Sequence, residues 1–429
     1  MKLLAVGYRF LAGLVTLMVL LVNLRLYSAA PSQAYGPEKL GPDVLPQLEF
    51  IGKKLHQGTG EEMQGLFPEG YFFTHTLYGL SWVEVGLRSA PGTDLHNQAI
   101  QETSWALEQI ESPKGKAPFP PEQKPAYGIF YTGWSNWLRG GALMLQSPEK
   151  RPKDEVERFQ NECQEMAEAF EQSPLPFLTS YTSQTWPVDS VVAIAALRLH
   201  DKLYPARFTN TIERWKSAAR QSAETSTGLL PHRVDYRTGE MLEGARASSQ
   251  SLIVRFLIEI DPTWAQTQYT SFRQQFIRPV FGIYGTHEYP PGIFSLGDVD
   301  SGPLIGGVSL SATVVSLAAA QVYGDSNLAN AYLQSGEALG FPWQIGAEKS
   351  YAFGLLPVGD AFLVWAKTSS PWVAEKQTTE WPPLVPWYWR LPAHLVSIVF
   401  MLIVWLVDLR KLSSRFGRQQ KSNPSQAGV

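Results

Sequence analysis

The chain has one cysteine, Cys163, so no intrachain disulfide and no thiolate metal cluster can brace it, and its core must stand by packing. It has no usable glycosylation sequon, because Asn423-Pro424-Ser425 carries the forbidden proline, which fits a prokaryotic envelope protein. Charge is sparse, at 17% of residues with a net of −3, and this excludes the broad basic surface that nucleic acid requires. No Gly-x-Ser-x-Gly turn and no phosphate loop occurs, and no two histidines stand at metal-ligand spacing on one helix. Neither a resident metal nor a cofactor is therefore expected. Low-complexity sequence is confined to the polar tail after Leu412, and strand-like alternation is scarce.

What is present is apolar at both ends. Lys2 and Arg9 precede an almost uncharged run from Phe10 to Leu24, which reaches the ~20 residues of a spanning helix when counted from Leu3. A second run, Leu391 to Val407, follows Trp387-Tyr388-Trp389 and precedes Arg410, Lys411, Arg415, Arg418 and Lys421. Flanking positive charge places both outer ends in the cytoplasm and the middle of the chain outside. The competing reading of the first run is a cleaved signal, since Ser28-Ala29-Ala30 and Ser32-Gln33-Ala34 are small-residue sites. The expected organisation is a membrane anchor or uncleaved signal over 1–30, an extracytoplasmic domain over 31–383, a transmembrane helix over 384–409 and a basic cytoplasmic tail over 410–429. The lipid bilayer is thus an expected partner.

The middle repeats. Six stretches share a loop rich in Gly, Pro and aromatics followed by a helix apolar or small on nearly all faces: Phe67 to Leu87, Tyr127 to Leu145, Trp186 to Leu199, Gly244 to Ile260, Gly302 to Val322 and Pro357 to Lys367. His75, Tyr131, Asp189, Ser248, Gly306 and Asp360 mark a recurrence of about 55 to 60 residues. Polar, striped helices alternate with them, at Asp43 to Leu55, His96 to Ile110, Pro152 to Glu171, Phe208 to Glu224, Pro262 to Phe276 and Ser326 to Leu339. Helices apolar all round are buried and striped ones lie outside. The fold class is therefore all-α, an (α/α)6 toroid of six hairpins, with an open solenoid of helix pairs as the structural alternative.

In a toroid the inner helices point their N-termini at one mouth, where unpaired N–H groups favour anions. Candidates there are Glu69, His75 and Tyr78; Tyr127, Tyr131, Trp134 and Asn136; Trp186 and Asp189; Arg246, Ser248, Ser249 and Gln250; Asp298 and Asp300; and Asp360. Asp189, Asp300 and Asp298 are the candidate catalytic acids. His75, Tyr78, Tyr131, Trp134, Asn136, Trp186, Arg246, Gln250 and Asp360 are the candidate substrate contacts. Asp189 could equally cap its helix, and Asp298 and Asp300 could form an Asx-turn. Arg246, a cation at a helix start, needs an anion, either Glu243 or Asp300 or an acidic substrate group. The Asp298 turn lacks the ligands of a calcium loop, because Gly302 stands where a ligand belongs and no closing Glu follows. Carboxylates facing each other among Tyr and Trp side chains suit acid/base attack on a sugar bond.

In this architecture the chain resembles the six-hairpin glycosidase superfamily. In Gly244-Ala-Arg-Ala-Ser-Ser-Gln-Ser-Leu252 and Asp298-Val-Asp-Ser-Gly-Pro303 it is also similar to linalool dehydratase/isomerase-like toroids. The first resemblance implies hydrolysis of a glycan or envelope polysaccharide. The second implies a lyase or isomerase that removes and adds water on an apolar alcohol, using acid, His, Tyr and Cys side chains; here Cys163 falls in an outer-helix stretch, a departure from that pattern. A non-catalytic toroid for binding or envelope assembly is the third expectation.

Overall fold

A computed structural model describes the backbone of residues 2–36, 38–375 and 380–421, and the side chains of those between 6 and 406. The charges of Lys2 and of the basic run 410–421, and the segment 422–429, lie outside the described residues.

Six helices form an inner ring: α4 (Gly70–Leu87), α7 (Gly128–Met144), α9 (Pro187–Leu203), α11 (Ala247–Ile260), α13 (Leu310–Val322) and α15 (Pro357–Thr368). Each packs on the next, and α15 returns to pack on α4. That closure excludes the open solenoid. An outer ring of α2 (Val44–His56), α5 (Asp94–Glu111), α8 (Lys153–Gln172), α10 (Thr209–Gln221), α12 (Pro262–Phe276) and α14 (Ser326–Leu339) runs antiparallel around it, α2 against α15 and the others against the inner helix just before them. Short helices α3 (Thr59–Leu66) and α6 (Pro113–Lys116) fill the first two outer-to-inner connections.

The division into rings follows from patterning. In α9 every residue from Pro187 to Leu197 is buried, whereas α10 buries only Thr211, Ile212, Trp215 and Ala219, one stripe at helical spacing. Inner helices approach closely where side chains are small: a Cβ added to Gly133 of α7 would lie 3.1 Å from the backbone of Ala193 in α9. Cys163 is wholly buried in the inward stripe of α8, beside Phe159 and Met166, and burial pushes its thiol well above the ordinary range.

The barrel axis is a packed core, not a channel. Trp134 meets Phe73, Phe256 and Trp365 edge-on, with ring centroids 5.5, 5.1 and 6.3 Å apart. The far end, at the C-termini of the inner helices, is closed by 369–375. There Trp372 stacks on Trp137 at 4.6 Å and donates its indole N–H to Glu84 at 3.0 Å, while Glu259 accepts the backbone N–H groups of Trp372, Val373 and Ala374.

The opposite end carries the connections from outer to inner helices. Four antiparallel hairpins lie in them: β1 (Arg233–Val234) with β2 (Met241–Glu243), β3 (Ile277–Val280) with β4 (Ile283–Thr286), β5 (Leu304–Ile305) with β6 (Val308–Ser309), and β7 (Trp343–Ile345) with β8 (Glu348–Ser350). In the fifth stretch, Gly302 to Val322, the loop turns at Gly306 and Gly307, both at positive φ, and the helix starts at Leu310 with Ser309 accepting the N–H of Ala312 at 3.1 Å.

At the termini, α1 (Lys2–Arg25) includes a 20-residue segment, Val6–Arg25, that is long and apolar enough to cross a membrane, with mean hydropathy 1.8. α16 (Arg390–Lys421) runs beside it, and among the residues whose side chains are described its apolar part covers Arg390–Leu406. Side chains bridge the two: Asn23 bonds Ser397 at 2.9 Å and His394 at 2.5 Å, His394 meets Tyr27 at 2.8 Å, and Trp405 donates to Thr16 at 3.0 Å.

Candidate active site

Three carboxylates from three hairpins converge around Tyr181 at the mouth: Glu69 just before α4, Asp189 in the first turn of α9, and Asp300 in the connection ahead of α13. Asp189 does not act as a cap. The residue flanking the helix is Trp186, and the hydrogen bond to the Asp189 carboxyl comes from the Ser180 side chain, not from a backbone N–H of the first turn. The helix dipole would favour ionisation by ~0.3–1 kcal/mol, whereas taking a carboxylate out of water costs several kcal/mol, so burial wins. Burial, reinforced by the negative charges of Asp300 and Glu69, pushes Asp189 up to about 8 against the opposing hydrogen bond from Ser180.

Asp300 also holds its proton more tightly than usual. Surrounding protein and the charge of Asp298 lift it to about 6, although its side chain remains half exposed in the concave mouth. The nearest base is His232 Nε2 at 4.0 Å from Asp300 Oδ2. His232 itself is neutral, pushed down to about 3 by burial and the neighbouring Arg246 guanidinium, and its Nδ1 lies 2.5 Å from the Ser249 hydroxyl. Glu69 accepts the phenol of Tyr181 at 2.5 Å. Tyr181 in turn meets Trp186 edge-on at 5.6 Å, so two aromatic rings flank the carboxylates.

Asp298 has a different position. It forms the Asx-turn, accepting the N–H groups of Asp300 and Ser301 at 3.1 and 3.2 Å, and both its oxygens bind Arg246, at 2.6 and 2.8 Å. The guanidinium holds Asp298 down at about 2. Arg246 further binds the fully buried Glu288 at 2.9 Å and Glu243 at 3.0 Å. The anion that a cation at this helix start requires is thus a set of three protein carboxylates, Glu243 among them but Asp300 not.

The remaining candidates are dispersed. His75 and Tyr78 turn away from the axis towards α5: Tyr78 donates to Glu102 at 2.8 Å and both rings contact Trp105. His75, pushed down to about 4 by burial, lines a separate cavity of about 570 Å³ with His56, Glu61, Tyr71, Gln109 and Lys114. Tyr131 packs on Phe72 and Phe119, and Trp134 fills the barrel axis. Asn136 is fully buried, with no hydrogen-bond partner for either amide atom among the described residues. Gln250 pins the carbonyl of Leu230 at 2.6 Å. Asp360, pushed up by burial to about 7, accepts the N–H of Tyr351 at 2.8 Å. Of the expected residues the mouth gathers Glu69, Asp189, Asp300, Asp298, Trp186 and Arg246. Tyr181 carried no sequence signal, since its partner Glu69 lies 112 residues away.

Among solved structures, a selenomethionine derivative of a GH76 alpha-mannanase of Bacteroides thetaiotaomicron is similar at a TM-score of 0.40 and 10% identity, over 69% of this chain and 85% of that one. No family model and no curated protein matches. The likeness to linalool dehydratase/isomerase-like proteins finds no support in these comparisons. The toroid and the apolar N-terminal helix are as expected, whereas a C-terminal span is not shown among the described residues. This chain is a closed six-hairpin (α/α)6 toroid with an apolar N-terminal helix.

Proposed function

We propose that the chain is a membrane-anchored, glycoside hydrolase-like enzyme whose mouth cleaves a glycan by carboxylate acid/base chemistry. The observation that carries this is the convergence of Asp189 and Asp300, from different hairpins, around Tyr181, with the starts of α9 and α13 flanked by Trp186 and Ser309 instead. Asp189, protonated at neutral pH, gives its proton to the leaving oxygen. Asp300, ionised above about 6, activates water or attacks the sugar carbon. Trp186 and Tyr181 offer ring faces for the C–H side of a pyranose. Asp298 and Arg246 position the Asp300 turn.

The anchor is α1, and α16 is the second pass of a hairpin that leaves 31–383 extracytoplasmic. Hydrogen bonds between the two helices, and the outward apolar faces of both, support a retained pair over a cleaved leader. The basic residues flanking the pair in sequence set the orientation.

The test is a pH–rate profile of reducing-end release from an envelope glycan panel. Activity rises as Asp300 loses its proton near 6 and falls as Asp189 loses its proton near 8, giving a bell whose limbs belong to the interacting pair. An activity that is flat from acid to alkaline pH contradicts the assignment.

A further inference from the structure

We infer that the mouth of the toroid faces the membrane that holds the chain, so that its substrate is a glycan tethered to the same bilayer. The substrate class rests on the hydrolase reading; the orientation does not.

Helix α14 serves as a ruler. Its C-terminus leads through β7 and β8 to the start of α15, so that end marks the mouth side, and its N-terminus marks the far side. The segment leading into α16 climbs along it: Trp381 donates to the carbonyl of Tyr323 at 2.8 Å, Val385 exchanges hydrogen bonds with Asn327, and Arg390 reaches Gln334. The segment after α1 runs alongside. Ser32 bonds Asn330 at 2.7 Å and Arg25 bonds the carbonyl of Pro342, beyond the end of α14, at 3.3 Å. Both terminal helices therefore leave the toroid from its mouth side.

The level at which they leave has the chemistry of a bilayer boundary. Tyr27, Trp387 and Tyr388 are exposed there, and Arg390 lies 4.6 Å from the rings of both Tyr27 and Trp389. Mouth-side loops flank this belt. A Cβ on Gly282, in the turn between β3 and β4, would meet the carbonyl of Trp389 at 2.4 Å, which puts the exposed Phe281 beside the first turn of α16. On the other side Pro342 adjoins Phe341 and Trp343, whose rings contact Phe353, and Ile345 and Leu355 stand outward with 66% and 79% of their surface exposed. Phe294 and Leu296, exposed at 96% and 94%, belong to the same mouth-side connection as the Asp298–Asp300 turn.

An apolar surface of this extent marks an interaction site. Its continuity with the outward apolar faces of α1 and α16, across a belt of Trp, Tyr and Arg, identifies the occupant as lipid. Asp189 and Asp300 then open onto the membrane face, where a lipid-carried glycan is presented and the mouth is screened from free polymer.

The test uses the full chain in phospholipid proteoliposomes. Nitroxides are placed at Ile345→Cys and Leu355→Cys, and at Glu149→Cys in the far-side connection between α7 and α8; the native Cys163 is fully buried, so the label goes to the new thiol. The expected result is that positions 345 and 355 are more accessible to oxygen than to a soluble nickel complex, while 149 is accessible to nickel. If 345 and 355 are as accessible to nickel as 149, the orientation is overturned. In the same vesicles, a lipid-linked oligosaccharide should be cleaved about tenfold faster than the free oligosaccharide, because tethering raises effective concentration. Equal rates overturn the tethered substrate even if the nitroxides are lipid-facing. Cleavage of neither removes the hydrolase reading and leaves the orientation to the nitroxides.

Discussion

Asp189→Asn is expected to lower turnover by about 10²- to 10⁴-fold, the usual contribution of a positioned general acid, while making the fold more stable at neutral pH. The second effect follows from the sign of the proton affinity. The folded state holds the Asp189 proton up to about 8, whereas the unfolded chain releases it near 4, so the stability this group allows is complete below ~4 and is lost as pH rises towards 8. At pH 7 the loss is on the order of 4 kcal/mol, from about 1.4 kcal/mol per pH unit over roughly three units, as an upper figure. The side chain is almost wholly buried, so solvent does little to reduce it. Asparagine titrates nowhere in this range. Thermal unfolding should show Asp189→Asn above the parent at pH 8 and level with it near pH 3.5. A variant less stable than the parent at pH 8 would mean that the carboxylate is a structural acceptor, and its role as the acid would fall.

Arg246→Ala is expected to cost about 3–5 kcal/mol, because it leaves Glu288, Asp298 and Glu243 without their shared cation, one of them fully buried. Arg246→Lys should recover only part of this, since an ammonium cannot reproduce the two-oxygen grip on Asp298 together with the bond to Glu288. The turn carrying Asp300 hangs on that grip, so activity should fall with stability and proteolysis should appear within 290–303. A melting temperature unchanged in Arg246→Ala would show that the four-residue cluster does not hold the turn.

The helices were legible because the sequence alternates two kinds of pattern. The stripe of Phe159, Cys163, Met166 and Phe170 fixes both the helix and its inward face. The inner helices were legible as buried, but burial on all sides removes the stripe that would tell which residue faces the axis. That is why His75 and Tyr78 were expected at the mouth and instead face α5, and why Trp134 fills the axis. Ring closure depends on partners distant in sequence, such as Asp43 with Lys349 and Lys367, and no local pattern announces them. In the site, Asp189 stood out through its position after Pro187 ahead of an apolar run, and the Asp298–Asp300 turn through its bounding glycines. The division of labour within that turn was hidden, because it is set by Arg246, more than 50 residues earlier.

The proposed acid/base pair requires two carboxyls at one mouth that differ in protonation near neutrality, Asp189 neutral and Asp300 ionised. Infrared titration of the full chain, following the C=O stretch of protonated carboxylic acids, measures this without any substrate. One acid should remain protonated at pH 7, titrate near 8 and be absent from Asp189→Asn, and a second step near 6 should be absent from Asp300→Asn. If no Asp189-dependent acid survives above about pH 5, the ordinary carboxylate range, the pair is not an acid and a base and the account is contradicted.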